Sequence, residues 1–344
     1  MRPRDLALAV AVTAAWGVNF VMIDTGLTLF PPLMFNALRF TLAAFPAVFF
    51  VGRPQVPWRW VIAVGLTLGV VKFSLLFAGM AAGMPAGLSS LVLQSQAVFT
   101  VLYAVPLLRE RPRAQQIAGL AVAFAGIVVV GSRMGSGLGA FLLIVGAAAA
   151  WGLSNVATRR ASPPDTLRFM VWVSVVASGP LIALTLLVEG PARDAAALSH
   201  LSLRPVLALV YVVVIATLAG FGAWGSLIRR YGAATVAPFS MLVPIFGIAA
   251  AAAMLGEPVH PVDVAGGVLV IGGVLLGLIR LGPAWDPNGR PGTAGAGSGR
   301  RPGAAPVGSG RRAEIEDQAI RRQPANAPAV VAASARGPGC PDAG

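Results

Sequence analysis

The sequence has very few of the residues from which disulfides, metal centres and nucleophilic active sites are built. Its 344 residues include a single cysteine, Cys340, and two histidines, His200 and His260. A disulfide within one chain needs two cysteines, and zinc, haem and iron–sulfur centres need clusters of cysteine or histidine. We therefore expect no metal site and no cofactor.

Charged residues are also scarce, at 11% of the chain, against about 25% in soluble proteins. Hydrophobic residues make up 56%, and the mean hydropathy is +0.78. Residues 6–23, 135–157 and 211–228 contain no charge at all. Because about 20 apolar residues cross the hydrocarbon layer of a bilayer, these stretches are typical of transmembrane helices.

Ten such apolar stretches follow one another, and we interpret each as a membrane span. The first follows Arg2 and Arg4 and resembles a signal peptide, but it is longer than the apolar part of such peptides. The sequence thus predicts an all-α membrane protein with ten transmembrane helices. Their expected bounds are residues 6–23, 33–51, 60–79, 86–107, 115–131, 138–157, 168–188, 205–227, 235–255 and 262–280.

The net charge of +13 raises the possibility of nucleic-acid binding, but the cations lie mostly at the ends of the predicted spans or in the C-terminal segment. A cytoplasmic N-terminus puts twelve arginines inside and three outside, as the positive-inside rule requires. We expect a multi-pass protein of the cell (inner) membrane with cytoplasmic N- and C-termini and no nucleic-acid partner. The twelve are Arg2, Arg4, Arg53, Arg59, Arg109, Arg111, Arg113, Arg159, Arg160, Arg168, Arg229 and Arg230; the three are Arg133, Arg193 and Arg204.

One stretch of the chain occurs twice. Residues 86–131 and 233–278 align with a constant shift of 147 positions and no gap, which pairs Glu110 with Glu257. Each copy is an apolar run, a short polar break and a glycine-rich apolar run, the pattern of a membrane helical hairpin. Internal duplication of this kind is typical of transporter folds.

The first spans of the two halves correspond as well, since Trp16 and Trp151 match with a shift of 135. Ten spans then divide into two sets of five, expected at residues 1–131 and 138–281. Because five is odd, the second set enters the membrane from the opposite side. The predicted architecture is an inverted-topology repeat.

Glycines recur at helical spacing in the fifth and tenth predicted spans: Gly119 with Gly126, and Gly266 with Gly273 and Gly277. Small residues at this spacing let helix backbones approach closely. We favour packing of the two spans within one chain, and a homodimer interface is the alternative.

Residues 282–344 differ in composition from the rest of the chain. They are rich in glycine, proline, alanine and arginine, with few aliphatic residues. Such a segment cannot bury enough apolar surface to offset the entropy of ordering. We expect a disordered cytoplasmic tail, whose arginines could contact anionic lipid.

Short motifs add to the paired sets of five helices: Ala-Trp-Gly at 15–17, Leu-Arg-Phe at 38–40 and the hairpins of Glu110 and Glu257. Together they resemble the EamA family of the drug/metabolite transporter superfamily. The O-acetylserine/cysteine exporter branch is the most similar, through residues 16–21, 31–34, 83–94, 224–225 and 236–244. The resemblance covers residues 1–281 and implies a central cavity that the fifth and tenth helices support from outside.

Polar side chains at membrane depth indicate function, because they are costly there. At about 1.5 Å per residue, Asn19, Lys72, Gln94 and Gln96 fall near the midplane of a hydrocarbon core about 30 Å thick. Inverted-repeat carriers bind their substrates at this depth. We therefore place a substrate site at these four residues.

Lys72 is the only lysine of the chain, and no acidic residue lies at a similar depth. Such a cation must face water, lose its proton or meet an anion from outside. We hypothesise that it binds the carboxylate of an amino-acid-like substrate, while Asn19, Gln94 and Gln96 accept hydrogen bonds from the substrate ammonium. A lysine hydrated in an empty vestibule and a snorkelling lysine are the alternatives.

Arg39 lies closer to the outer surface, where it can snorkel or act as a gate or carboxylate partner. Trp16 and Asn155 complete the candidate site. Pro46, Pro180 and Pro244 lie within predicted spans, where proline weakens a helix and can form a hinge or a static kink. We interpret Glu110 and Glu257 as structural carboxylates at helix N-termini, with proton coupling as the alternative.

These observations favour a secondary transporter that exports small amino-acid-like metabolites of the O-acetylserine/cysteine type by alternating access. The alternative is a superfamily carrier for lipid-linked precursors, nucleotide sugars or other small metabolites. A phosphate-binding loop for ATP is absent from the sequence. An intramembrane enzyme would need catalytic His, Asp or Glu at mid-depth, so we expect no enzyme activity and no catalytic residues.

Overall fold

The computed structural model describes residues 1–45 and 47–278, and in this part of the chain all regular structure is helical. Its helices in chain order are α1 (Pro3–Leu27), α2 (Pro32–Ala44), α3 (Trp58–Ala81), α4 (Ala86–Leu108), α5 (Ala114–Gly131), α6 (Leu138–Ala161), α7 (Thr166–Leu184), α8 (Pro191–Ser199), α9 (Leu203–Tyr231), α10 (Ala237–Leu255) and α11 (Pro261–Leu278). The predicted all-α class is confirmed for the described residues.

Nine helical stretches in the described part are long and apolar enough to cross a membrane, and in one of them α2 is counted together with the short helix Val48–Val51. The tenth predicted span corresponds to α11, which is apolar but shorter. In an apolar medium a helix satisfies its own backbone hydrogen bonds, which is why long apolar runs adopt this form. The chain is a multi-pass membrane protein, and the predicted tail at residues 282–344 lies outside the described residues.

Helix α8 was not predicted. It occupies the segment between α7 and α9, which the sequence analysis treats as an outer loop, and it begins at Pro191. Proline is favoured in the first turn of a helix because its missing N–H has no partner there in any case. At nine residues, α8 is too short to cross a bilayer.

The recurring glycines bring α5 and α11 together within the chain. A Cβ atom on Gly126 would lie 2.7 Å from the carbonyl oxygen of Gly266, and one on Gly119 would collide with the backbone of Gly273. Side chains at these positions would push the two helices apart. The glycines therefore pack α5 against α11 within one chain, which is the arrangement that the sequence favoured.

The duplication seen in the sequence extends to irregular parts of the backbone. A π-helical stretch, Gly65–Lys72, interrupts α3, and a second one, Tyr211–Ala219, interrupts α9; a further π-helical stretch, Thr185–Glu189, follows α7. A shift of 147 carries the end of the first, Lys72, onto the end of the second, Ala219. The 3₁₀ stretches Leu93–Ser95 in α4 and Ala237–Leu242 in α10 end at equivalent residues in the same way.

The two halves also contact each other through equivalent residues. A Cβ atom on Gly17 would lie 2.5 Å from the Cβ of Phe246, and one on Gly152 would lie 2.7 Å from the Cβ of Phe99. Phe99 and Phe246 are equivalent by the shift of 147, and Gly17 and Gly152 by the shift of 135. The same close contact therefore occurs twice, each time between the first helix of one half and the fourth helix of the other.

Candidate functional site

Lys72 lies at the end of the π-helical stretch of α3 and is only 4% exposed. Its Nζ lies 3.3 Å from the ring centroid of Phe73 and 4.8 Å from that of Trp151. Both distances are within the range of a cation–π contact. Among the described residues no carboxylate forms an ion pair with Lys72, so aromatic faces are its observed partners. Lys72 also ends a π-helical stretch, and π-helical turns often occur at functional sites.

Arg39 approaches the same aromatic ring from α2. Its guanidinium carbon lies 3.8 Å from the centroid of Phe73, and the residue is 3% exposed. Nε and Nη2 donate hydrogen bonds to Oγ1 of Thr217 at 3.2 and 3.1 Å, whereas Nη1 has no partner within the described part of the chain. Arg39 is therefore buried beside Lys72 and does not snorkel to the surface in this structure.

Two polar residues that were not predicted as site residues connect the helices around Arg39 and Lys72. Thr217, in the π-helical stretch of α9, accepts from Arg39 and donates to the carbonyl of Val212 at 2.8 Å. Asn36 lies one turn before Arg39 and donates to the carbonyl of Gly69 at 3.1 Å, which joins α2 to the stretch that ends at Lys72. Thr217 lies near the middle of the predicted span 205–227, so the depth criterion that selected Lys72 would have found it. Asn36 lies only three residues into the span 33–51, close to the outer surface, so that criterion would have missed it.

Gln96 and Asn155 form a separate polar contact between α4 and α6. Nδ2 of Asn155 donates to Oε1 of Gln96 at 2.6 Å and to Oγ1 of Thr100 at 3.1 Å. Asn155 lies one helical turn after Trp151, which contacts Lys72. The Gln96–Asn155 contact therefore lies on the same face of α6 as Trp151, next to the group formed by Lys72, Arg39 and Phe73, which we call the cationic group.

Gln94, Asn19 and Trp16 lie between the halves with different neighbours. Nε2 of Gln94 donates to the carbonyl of Ser240 at 3.0 Å, and Oδ1 of Asn19 is buried without a hydrogen-bond partner in residues 1–45 and 47–278. Nε1 of Trp16 donates to the carbonyl of Ala216 at 2.9 Å. These three predicted site residues are thus buried or half-buried, and within the described residues no hydrogen bond joins them to Lys72.

The predicted hinge prolines occupy different positions. Pro180 lies inside α7, where it removes one backbone hydrogen bond. Pro244 lies in the first turn after the 3₁₀ stretch of α10, a position where proline fits without breaking the helix. Pro46 lies outside the described residues.

Glu110 and Glu257 have different partners although they are equivalent in the repeat. Glu257 accepts from the backbone N–H groups of Ala86 and Gly87 at 2.6 and 3.0 Å, so it caps the N-terminus of α4. Glu110 pairs with the guanidinium of Arg159. The structural interpretation of Glu257 holds, but the helix that it caps belongs to the other half and is not α11, the helix that follows it.

The cationic group is packed closed in this conformation. Two open pockets of the described chain lie at other places, one against α8 and one around Glu257, and neither is lined by Lys72 or Arg39. Two cations and unpaired N–H donors, enclosed by aromatic rings, can bind an anion.

A family model described as the EamA-like transporter family matches the chain twice, at residues 5–132 and 138–279. A protein of Salmonella typhimurium named a probable amino-acid metabolite efflux pump is 39% identical over 284 residues, which cover 80% of this chain and 95% of that protein. Its namesake in Escherichia coli K12 is 37% identical, over 82% and 97% of the two chains.

Two more distant similarities are consistent with these. A protein of Streptantibioticus cattleyicolor named a probable terminal-alkyne amino-acid exporter is 28% identical, over 78% of this chain and 91% of its own. A solved crystal structure superimposes with a TM-score of 0.56 and 19% identity, and the match covers 80% of this chain and 96% of that one. At that identity the superposition shows the fold alone.

Proposed function

Because the chain belongs to the EamA-like transporter family, we propose that it exports small amino-acid-like metabolites, of the O-acetylserine/cysteine type, across the inner membrane. Membrane transport follows from the family, whereas the cargo and its direction are our inference. Two relatives that cover most of this chain are named for efflux of amino-acid metabolites, and a third for export of an amino acid. All three names agree on an amino-acid skeleton and on outward movement.

One observation from the structure carries the choice of cargo. Lys72 is buried between Phe73 and Trp151 and has no carboxylate partner among the residues described. A buried cation without an anion is costly. The carboxylate of an amino-acid metabolite would supply the missing charge when the cargo binds, so Lys72 is the proposed anchor for that group.

The mechanism that we propose is alternating access between two inverted five-helix halves, with ten membrane spans and cytoplasmic termini. Equivalent backbone features and the paired Gly17–Phe246 and Gly152–Phe99 contacts support two related halves. In such carriers the halves exchange conformations around a fixed site. We therefore expect Glu110 to cap the N-terminus of α10 in the opposite state, as Glu257 caps the N-terminus of α4 in this one.

An export assay tests this function. The chain is overproduced in bacteria, and O-acetylserine, cysteine and other amino acids are measured in the medium, with an empty vector and Lys72→Met as matched controls. The proposal predicts accumulation of amino-acid metabolites only with the wild-type chain. Movement of lipid precursors without amino acids would show that the cargo class is wrong.

Flux into membrane vesicles then tests energy coupling. Exporters driven by protons respond to an imposed pH gradient, whereas an exchanger requires cargo on the opposite side. We expect one of these two dependences, since the sequence contains no ATP-binding loop. Flux that requires added ATP in washed vesicles would contradict a secondary transporter.

A further inference from the structure

Helices α4 and α10 pack closely near the N-terminus of α4, which is the outer end of the pair in the proposed topology. A Cβ atom on Gly247 would lie 2.7 Å from the Cβ of Ser90. A Cβ atom on Gly87 would lie 3.2 Å from the Cα of Ile248. Helix backbones that approach this closely leave no open space between them. Because α4 belongs to the first half and α10 to the second, the two halves are closed against each other at this end.

The corresponding residues at the inner end of the pair are exposed instead. The shift of 147 carries Ser90 onto Ala237 and Leu91 onto Pro238. Ser90 and Leu91 are buried, with 1% and 0% of their surface exposed, whereas Ala237 and Pro238 are exposed. The first turns of α10 therefore lack the cover that the first turns of α4 receive from the other half.

The packing of the two helices along their length follows the same pattern. The N-terminal part of α4, Ala86–Val92, packs along Val243–Leu255 of α10. The C-terminal part of α4, Gln96–Leu108, makes few contacts with Ala237–Leu242 of α10. A carrier that works by alternating access needs a contact between its halves that is closed on one side of the membrane and open on the other. The α4–α10 pair has this asymmetry.

Glu257 bonds the two helices together at the closed end. Its carboxylate accepts from the backbone N–H groups of Ala86 and Gly87 at 2.6 and 3.0 Å. The first N–H groups of a helix have no partner within the helix, and the helix dipole favours a negative charge beside them. A Cβ atom on Gly87 would lie 3.1 Å from Oε2 of Glu257, so glycine leaves room for the carboxylate. These bonds cross from the second half to the first, and they break when the outer end opens.

A similar cap joins the halves between α2 and α7, but that pair is held at both ends. Glu189, which ends the π-helical stretch after α7, accepts from the backbone N–H groups of Leu33 and Met34 at 2.8 and 2.9 Å. At the other end of the pair, Nε1 of Trp172 donates to the carbonyl of Gly52 at 2.7 Å. The α2–α7 pair therefore lacks the one-sided closure of α4 and α10.

We infer that α4 and α10 are the moving gate of the transport cycle, that this structure shows the gate closed on the outer side, and that Glu257 is the positioning residue that keeps it closed. The α2–α7 pair, with Glu189, stays together while the gate moves. The inference rests on the proposed alternating access and names its moving parts. It concerns the conformation of the protein and is independent of the cargo.

Two cysteine reporters at equivalent positions test which side is closed. Cys340 is the only cysteine of the chain, so Cys340→Ser gives a background without thiols. Ser90→Cys places a thiol in the closed outer contact, and Ala237→Cys places one at the exposed inner position. A membrane-impermeant maleimide is added to intact spheroplasts for the first and to inside-out vesicles for the second. With Glu257 intact, we expect the inner thiol to react at least about tenfold faster than the outer one.

Glu257→Gln tests the role of the carboxylate, and Glu189→Gln is its matched control. Each variant removes the charge from a cap on two backbone N–H groups. Glu257→Gln should raise the labelling rate of Ser90→Cys from outside by at least about fivefold, because only the closed state loses a contact. Glu189→Gln should leave that rate within about twofold. Ala37→Cys, buried in α2 and 4% exposed, reports general loosening and should stay slow in both variants.

Each failure has a distinct result. An unchanged rate at Ser90→Cys in Glu257→Gln would remove Glu257 from the gate. Faster labelling of Ala37→Cys as well would show that the variant loosens the whole protein, which contradicts a local role. The same rise at Ser90→Cys in Glu189→Gln would overturn the assignment of α2 and α7 as the pair that stays together.

The wild-type comparison decides alone if Glu257→Gln does not reach the membrane. Equal or faster labelling of Ser90→Cys, relative to Ala237→Cys, would then overturn the inference that the gate is closed outside. Because labelling needs no cargo, such a result leaves the export assay standing, and failure of the export assay leaves the gate standing.

Discussion

At the end of its π-helical stretch α3 carries Lys72, whereas α9 carries Ala219 at the equivalent position. The reverse holds two residues earlier. Thr217 in α9 accepts hydrogen bonds from Arg39, whereas the equivalent residue in α3 is the apolar Val70. The two halves thus keep the same irregular backbone and differ in the polar groups placed on it. Duplication accounts for the scaffold, and the proposed substrate site lies where the copies have diverged.

The glutamates before α5 and α11 show the same relation at the membrane surface. The backbone N–H groups of Glu110 and Glu257 bond to the equivalent carbonyls of Ala104 and Ala251. Their carboxylates nevertheless differ, since one pairs with Arg159 and the other caps α4. Equivalent backbones with different side-chain partners are expected if the structure shows one of two states of a carrier.

The largest expected effect concerns the lysine that distinguishes the halves. Lys72→Met should abolish export while the amount of protein in the membrane stays unchanged, because methionine keeps the length of the side chain and removes the charge. Ala219→Met, at the equivalent exposed position of α9, should export normally. Metabolites in the medium are measured against membrane-protein abundance, and full export by Lys72→Met would remove it from the site.

Next come the paired glycine contacts, where the halves should behave alike. Gly17→Ala and Gly152→Ala each place a Cβ atom too close to a phenylalanine, and we expect a loss of about 1–3 kcal/mol in each case. Gly139 and Gly179 have open space around them and serve as alanine controls. Thermal unfolding in detergent gives the comparison. Damage from only one member of the pair would show that the contacts are not equivalent.

The glutamates should respond unequally. Glu257→Gln weakens a charged cap on two backbone N–H groups, at a cost of about 1–2 kcal/mol. Glu110→Gln should cost less than about 1 kcal/mol, because the side chains of Glu110 and Arg159 are 46% and 52% exposed. The same unfolding assay ranks the two variants. A larger loss for Glu110→Gln would contradict the assignment of Glu257 as the stronger stabilising contact of the two.

The smallest effect is expected when one residue of the second half is replaced by its equivalent from the first half. Thr217→Val copies the residue at position 70 and removes the hydroxyl that orients Arg39 while keeping both cations. We expect the half-saturation concentration to rise by roughly three- to tenfold, which corresponds to the net free energy of about one ordinary hydrogen bond, with little change in maximal rate. Initial rates of flux measure both constants. Unchanged constants would show that Thr217 does not position Arg39 for cargo.

Much of the fold follows from the sequence because apolar length and arginine placement are one-dimensional signals. The helical spans and the family could be predicted in this way. Lys72 and Gln94, which were predicted near the middle of the membrane, are buried in the structure. The sequence gives the depth of a side chain along its helix but not the direction in which it points. Gln94 and Gln96 are predicted at one depth, yet the first bonds Ser240 and the second Asn155.

The composition of the cationic group shows the same limit. Arg39 was expected nearer the surface, and its neighbour Phe73 was not considered, because both depend on how α2 meets α3. The π-helical stretch before Lys72 turns the following side chains to a face that regular α-helical spacing does not predict. The sequence therefore identifies the polar and aromatic residues of the site, but which of them contact each other across helices is known only from the structure.

We propose that the buried group formed by Lys72 and Arg39 binds the carboxylate of the exported metabolite. The most direct measurement is competition against labelled cargo in vesicles by an amino-acid metabolite and by its methyl ester, which differ only at that carboxylate. We predict that the free acid competes and that the ester competes at least about tenfold more weakly, because the ester lacks the negative charge of the carboxylate that Lys72 and Arg39 are proposed to bind. Equal competition by the ester would contradict the claim.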